Sequence, residues 1–127
     1  MGRPPSKDLT ERELEVMHVF WSQGEGTAAE ARDRLATTGL DRTYTTIANL
    51  VRALEEKGFL KQLNNDRPFL YRAVRTYEEV SGRLLGDLVQ RVFRGSRAQL
   101  LCRLTEGRKL TKEERAILEQ ILKEGGR

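Results

Sequence analysis

The chain has 127 residues, of which 33% are charged, with a formal net charge of +4 and a pI near 9.5. This length fits one or two small domains, and a hydrophobic share of 38% argues against disorder. The single cysteine excludes an internal disulfide and a multi-cysteine metal site, and no apolar run approaches the roughly 18 residues that cross a membrane. The first residues lack a secretory signal, so we expect a cytoplasmic protein with no membrane partner and no cofactor.

Five helix starts follow from capping boxes, in which Ser or Thr is followed three residues later by Glu or Gln. Each box precedes an amphipathic run, which strengthens the interpretation. The pairs are Thr10/Glu13, Thr27/Glu30, Thr76/Glu79, Ser96/Gln99 and Thr111/Glu114. They predict helices over about 10–22, 27–37, 76–93 and 111–124, with a short helix around 100–104. The first helix is expected to place Leu14, Met17, His18 and Trp21 on one face.

A further helix begins in the stretch TYTTIANL, although its Thr, Tyr and Ile residues favour strands by propensity. The apolar residues Ile47, Leu50, Val51 and Leu54 recur at the spacing of a helical stripe, and this periodicity overrides the local propensity. Gly58 then supplies a residue that can end the helix in a left-handed conformation.

After Gly58 the apolar period changes. The short runs FLKQL and FLYRAV flank NNDRP, which predicts a β-hairpin over about 59–63 and 69–74. Three helices followed by a hairpin is the order of a winged helix-turn-helix. We therefore predict a mainly α protein with a small β-hairpin wing, made of a winged-helix DNA-binding domain over 1–75 and a C-terminal helical dimerisation domain over 76–127.

The predicted DNA-binding residues lie on the third helix, the hairpin and the N-terminal leader. The later helix of a helix-turn-helix enters the major groove, where hydroxyls, amides and cations bind bases or phosphate. Residues 42–75 carry seven Lys and Arg against three Asp and Glu, whereas residues 1–41 carry five against eight. The predicted set is Arg3, Lys7, Arg42, Thr43, Tyr44, Thr45, Thr46, Asn49, Arg52, Lys57 and Arg67.

The C-terminal helices are too short to bury much core by themselves, so we expect their apolar faces to meet a second copy of the chain. A homodimer also matches the symmetry of a palindromic site. The predicted dimerisation residues are Val80, Leu84, Leu88, Val92, Leu101, Leu104, Leu118, Ile121 and Leu122. The alternative is that these side chains only pack on the first domain.

Other interpretations stay open at this point. The threonines could serve only as helix caps, and the basic hairpin could dock an acidic protein instead of DNA. An enzyme is not expected, because the one histidine, His18, is typical of a structural residue, no nucleophile has a paired base, and no Gly-rich loop cradles phosphate. Cys102 is interpreted as a small core residue, with a redox-sensing thiol as the alternative.

Several blocks of the sequence resemble the penicillinase-repressor family (BlaI/MecI), which also includes copper-responsive CopY repressors. They are LTERELEVMHVFW, GTAAEARDRL, TYTTIANLVRALEEKGFL, RPFLYRAV, LVQRVFRGSRAQLL and LTKEERAILEQIL. The resemblance implies a winged-helix repressor that binds a dyad operator of double-stranded DNA as a homodimer, often with TACA and TGTA half-sites. It also implies control of the beta-lactam resistance type.

The resemblance also implies relief of repression by a sensor-linked protease, which in the penicillinase branch cleaves an Asn-Phe pair. At the matching positions this chain carries Arg103-Leu104. The copper branch binds metal through a C-terminal CxCx4CxC cluster, and the tail ILEQILKEGGR has no cysteine. The resemblance therefore implies repression more directly than it implies the inducing signal.

Overall fold

Six helices and three short strands make up residues 8–125, the part of the chain that the computed structural model describes. The fold is mainly α with a small antiparallel sheet, as the sequence predicts. In chain order the elements are α1 (Glu11–Gln23), β1 (Gly26–Thr27), α2 (Ala28–Thr37), α3 (Tyr44–Glu56), β2 (Leu60–Gln62), β3 (Leu70–Ala73), α4 (Tyr77–Arg91), α5 (Arg97–Thr105) and α6 (Lys112–Gly125).

Capping boxes set the starts of α1, α2, α4 and α6. In each, the Thr hydroxyl accepts the backbone N–H of the Glu three residues on, and the Glu carboxylate accepts the Thr backbone N–H. Ser96 begins α5 in a similar way by accepting the Gln99 N–H at 3.1 Å. These bonds satisfy N–H groups that a helix start leaves unpaired, and they confirm the five predicted starts.

The predicted hairpin is confirmed, and a third strand joins it. β2 pairs antiparallel with β3, with Leu60 opposite Ala73, while β1 pairs with the other edge of β3, with Gly26 opposite Tyr71. We did not predict β1, since two residues show no periodicity. A Cβ at Gly26 would meet the end of the flexible Gln23 side chain, which would have to move to admit any other residue.

The core of the first three helices is built from side chains that are almost fully buried. On α1 these are Val16, Met17 and Phe20, so the predicted face of that helix is partly wrong: Leu14 and Trp21 are half-buried and His18 is exposed. The α3 stripe is confirmed for Ile47, Val51 and Leu54, whereas Leu50 is half-buried. Gly58 follows α3 with φ of +88°, the left-handed conformation expected there.

The chain divides into two compact units, one ending at Gly82 and the other beginning at Arg83. The division lies within α4, and the boundary at residue 75 stays a prediction. All of the buried apolar side chains among residues 8–125 belong to the first unit. The described part of the second unit has no buried side chain. Between residues 8 and 125, no helix is long and apolar enough to cross a membrane.

One buried ion pair joins the start of α1 to the end of α3. The Lys57 ammonium donates to Glu13 Oε1 at 2.8 Å and to the Asp8 carbonyl at 3.0 Å. Glu13 is only 4% exposed. Burial raises the pKa of its carboxyl, but hydrogen bonds from Lys57 and Thr10 outweigh this and hold the pKa below its ordinary value of 4.5. Glu13 therefore stays charged inside the fold.

We expect Lys57→Met to lower the free energy of unfolding at pH 7 by about 3–5 kcal/mol, because it leaves the Glu13 carboxylate buried without its cation. Urea unfolding measures this change. The matched control is Arg32→Met, which breaks the exposed pair of Arg32 with Asp33 (3.1 Å) and should cost less than about 1 kcal/mol. Equal losses in the two variants would contradict the structural role of the buried pair.

Candidate nucleic-acid interface

Helix α3 presents a polar face directly opposite its buried stripe. At about 100° per residue, Thr45, Asn49 and Arg52 lie within about 60° of one another around the helix. All three are exposed, whereas Ile47 and Leu54 on the other side are fully buried. The packing of α3 therefore directs an amide, a guanidinium and a hydroxyl into solvent along one line.

The first turn of α3 is organised by its own threonines. The Thr43 hydroxyl accepts the Thr46 backbone N–H at 3.2 Å and donates to the Thr46 hydroxyl at 2.9 Å. Tyr44, between them, is 51% exposed. Thr43 thus serves as the N-cap, as one interpretation of the sequence expected, and Thr46 bonds to it. Both hydroxyls therefore keep only part of their hydrogen-bonding capacity for a ligand.

Two of the predicted DNA-binding cations are engaged inside the protein. The Arg42 guanidinium forms a fork with the Glu15 carboxylate, with its terminal nitrogen 3.0 Å and 3.1 Å from the two oxygens. Lys57 is held by Glu13, and its side chain is only 15% exposed. Both cations join α1 to an end of α3, so their first role is to position that helix.

A single asparagine organises the loop between β2 and β3, which we call the wing loop (residues 63–69). Asn64 Oδ1 accepts the Leu70 backbone N–H at 2.8 Å. Its Nδ2 donates to the carbonyls of Asp66 at 3.0 Å and Pro68 at 3.2 Å. Side-chain hydrogen bonds of this kind replace the backbone hydrogen bonds that a short turn would make. The sequence pattern NNDRP indicated a turn here but did not single out Asn64.

Arg67 lies in the wing loop and is exposed, with its guanidinium 5.4 Å from the centre of the Phe69 ring. At this distance the ring face attracts the cation and limits its directions. Arg67 has no carboxylate partner among the described residues. It is therefore a charge held in place yet available to an anion.

A cleft of about 570 Å³ separates α3 from the sheet and the wing loop. Tyr44 and Arg52 line it from α3, and Tyr71 lines it from β3. Burial raises the pKa of the Tyr71 hydroxyl, and the nearby Glu55 carboxylate raises it further. Tyr71 was not predicted as a site residue; its place in a strand next to a turn gave no signal of the cleft.

Arg3 and Lys7, also predicted to reach phosphate, lie outside the described residues.

The predicted dimerisation residues fall into three groups by burial. Val80 is buried within the first unit, so it belongs to that core and is unavailable to a partner chain. Leu84 and Leu118 are half-buried, and the others are exposed, as are two further residues of α4 and α6 that we did not predict. The exposed large apolar side chains of the second unit are Leu85, Leu88, Val92, Leu101, Leu104, Ile117, Ile121 and Leu122.

The two units differ in charge. The first unit has twelve Lys and Arg against thirteen Asp and Glu, a net charge of −1, while the second has eleven against six, a net charge of +5. The ion pairs found among residues 8–125 all join side chains of the first unit. The positive charge of the second unit is therefore open to solvent and to any anionic partner.

Two residues considered for other chemistry have different surroundings from those expected. Cys102 is exposed on α5, so its interpretation as a small core residue is wrong.

His18 packs against the ring of Trp21, 5.3 Å between centres, and lies near Tyr77. The Trp21 indole N–H donates to the Arg75 carbonyl at 2.8 Å. Over residues 8–125, no group of three or more His, Cys, Asp or Glu side chains is placed to hold a metal ion.

Comparison with known proteins gives a family match over almost the whole chain. The model of the penicillinase repressor family matches residues 9–124. An uncharacterized 16.5 kDa protein in the ptsI 3'region of Latilactobacillus sakei is 28% identical over 117 residues, covering 92% of this chain and 80% of that protein. The methicillin resistance regulatory protein MecI of Staphylococcus aureus (strain N315) is 22% identical over 115 residues, covering 91% and 93%.

Solved structures with a related arrangement include a mutant MarR from E. coli complexed with operator DNA. It is 22% identical, covers 93% of this chain and 76% of that one, and has a TM-score of 0.49. Streptococcus pneumoniae FabT in complex with DNA is 19% identical, covers 92% and 73%, and has a TM-score of 0.46.

We expect Asn64→Ala to loosen the wing loop while the helices stay folded. Losing the bond to the Leu70 N–H should cost about 1 kcal/mol locally, which makes exchange of that amide hydrogen about fivefold faster. Hydrogen exchange followed by NMR measures the rate. Asn65→Ala, at the exposed neighbouring position, should leave the Leu70 amide unchanged, and equal acceleration in both variants would contradict the role assigned to Asn64.

Proposed function

Because the chain belongs to the penicillinase repressor family, we propose that it represses transcription as a homodimer bound to a dyad operator in double-stranded DNA. The similarity to MecI supports the further proposal that it controls genes of the beta-lactam resistance type. Since its proposed target is DNA, we propose that it acts in the cytoplasm.

The observation that carries DNA binding is the outward face of α3. Its polar side chains stand opposite a fully buried stripe, so the core leaves them free for a ligand and fixes their direction. A helix held in this way is suited to the major groove, where side-chain donors and acceptors meet base edges. The exposed cation of the wing loop, Arg67, is suited to the phosphate backbone beside it.

The apolar faces of the second unit support the homodimer. Seven large apolar side chains of α4, α5 and α6 within this unit are exposed, as is Val92 just after α4, and none of the described residues of this unit is buried. Burying one such side chain fully stabilises a structure by about 1.5–3 kcal/mol. A second copy of the same chain offers a matching apolar surface, and the resulting two-fold symmetry suits a palindromic operator.

We extend the proposal to a sensor-linked protease only as far as the family resemblance supports it. Arg103 and Leu104, at the positions of the family's cleaved pair, are exposed near the end of α5. Exposed loop tips are the usual sites of proteolysis, and this pair lies in a helix. The position and residue types of this pair therefore support proteolytic control less than the family match supports repression.

We expect the purified chain to enrich palindromic sequences from a random duplex library. Its affinity for the selected site should fall by about 0.9 log units per tenfold increase in salt for each phosphate contact. Arg67→Ala should reduce this slope by about one contact, whereas Arg12→Ala, on the exposed side of α1, should not change it. Equal binding to all duplexes, or retention only on an acidic protein, would refute the repressor and favour the protein-interaction alternative.

We expect Leu88→Asp to convert the dimer to monomers, because a carboxylate in an apolar interface would lose its hydration. Sedimentation at micromolar concentration measures the association, and the monomer should bind a two-site operator at least about 100-fold more weakly. The matched control is Val74→Asp, since Val74 is a similarly exposed apolar residue of the first unit. A Leu88→Asp protein that sediments as a dimer would contradict this interface.

A further inference from the structure

The exposed side chains of α3 differ from one another in how many hydrogen bonds they already make within the protein. Thr43 and Thr46 bond to each other and to the backbone of the first turn. Tyr44 lines the cleft beside Tyr71, as Arg52 also does. Thr45 is exposed on the same face as Asn49, but a hydroxyl bonds to any of the bases and does not distinguish them. Asn49 and Arg52 are exposed, and among residues 8–125 neither takes part in an ion pair or a side-chain hydrogen bond. These two residues therefore present their full hydrogen-bonding capacity to solvent.

The chemistry of the two side chains selects different bases. An amide such as that of Asn49 donates and accepts at once, which matches the N6 amino group and N7 of adenine. A guanidinium such as that of Arg52 donates two parallel hydrogen bonds, which match O6 and N7 of guanine. Neither match depends on the phosphate backbone, so both carry sequence information.

Their spacing also fits the duplex. Asn49 and Arg52 are three residues apart, which places them on one face and about 4.5 Å apart along the helix axis. Base pairs are stacked about 3.4 Å apart, so a helix lying in the groove brings the two side chains to neighbouring base pairs. Because Ile47 and Val51 are fully buried on the other side, α3 cannot turn about its axis to offer a different pair.

We propose that Asn49 and Arg52 form the base-reading pair of this chain, and that each operator half-site holds an A·T pair contacted by Asn49 next to a G·C pair contacted by Arg52. This inference rests on the proposed DNA-binding function and adds to it the base identities and their adjacency. Thr43 and Thr46 position the helix start, and Arg67 of the wing loop contacts phosphate.

The test uses the full chain and the operator selected by the wild type, together with all single base-pair changes in one half-site. For the wild type, changing the A·T pair or its G·C neighbour should weaken binding by about 10- to 100-fold. Asn49→Ala should bind all four base pairs at the first position within about threefold and keep the penalty at the second. Arg52→Ala should show the reverse.

Two further variants separate base reading from charge and from general disturbance of the helix. Arg52→Lys keeps the charge but loses the fork, so it should retain the wild-type salt dependence while losing the preference for guanine. Glu56→Ala, on the same exposed face one turn later, should keep both preferences. Thermal unfolding of every variant should match the wild type, since all these side chains are exposed.

The outcomes distinguish this inference from the function on which it rests. A wild type that selects no sequence overturns both. A selected operator without adjacent A·T and G·C pairs overturns the base-reading pair alone. The same holds if the Asn49 and Arg52 variants keep all wild-type preferences, lose affinity equally for every sequence, or fail to fold.

Discussion

The attachment of α3 to α1 is the constraint on which the rest of the first unit depends. Glu15 holds Arg42 just before α3 begins, and Glu13 holds Lys57 just after it ends. Between these two ion pairs, the apolar stripe that includes Ile47 and Leu54 is fully buried. The helix is thus fixed at both ends and along one side, so the direction of its exposed side chains is set by the core.

This arrangement leaves two basic residues, Arg42 and Lys57, less available to DNA. Arg42 and Lys57 fall in the basic region that a charge count assigns to DNA, yet their charges are balanced by carboxylates of α1. A cation paired at close range with a carboxylate contributes little to the field outside the protein. Of the predicted DNA-binding cations between residues 42 and 75, Arg52 on α3 and Arg67 on the wing loop remain exposed and unpaired, as do the basic residues Lys61, Arg72 and Arg75.

How much of this could be predicted depended on how local each signal is. The helix starts were predictable, because a capping box such as Thr10/Glu13 is complete within four residues. The partners of Lys57 and Arg42 were not, since their carboxylates lie 44 and 27 residues away in the chain. Strand β1 was missed because it has only two residues and its pairing partner is Tyr71.

The outward direction of Asn49 followed from the apolar periodicity, whereas the role of Asn64 required the folded wing loop. The apolar pattern gave a wrong prediction of burial on α5, where the apolar residues have no surface among the described residues of the same unit to pack against. Cys102 lies among leucines in LLCRL and was expected inside, yet every residue of α5 except Leu100 is exposed. The apolar side chains of the second unit are not buried by residues 83–125 themselves, and the proposed homodimer would supply a surface that covers them. The first unit, by contrast, satisfies its own pattern with a closed core.

The uneven charge of the two units has a consequence for how this protein can change over evolutionary time. The net positive charge belongs to the second unit, while the side chains that face outward from α3 belong to the first. Long-range attraction between a protein and a polyanion depends on the summed charge, whereas discrimination between sequences depends on a few directed groups. Under the proposed function, a charge substitution on the exposed surface of the second unit would therefore alter the rate of encounter with DNA without altering the choice of sequence by α3, and the two properties could evolve independently.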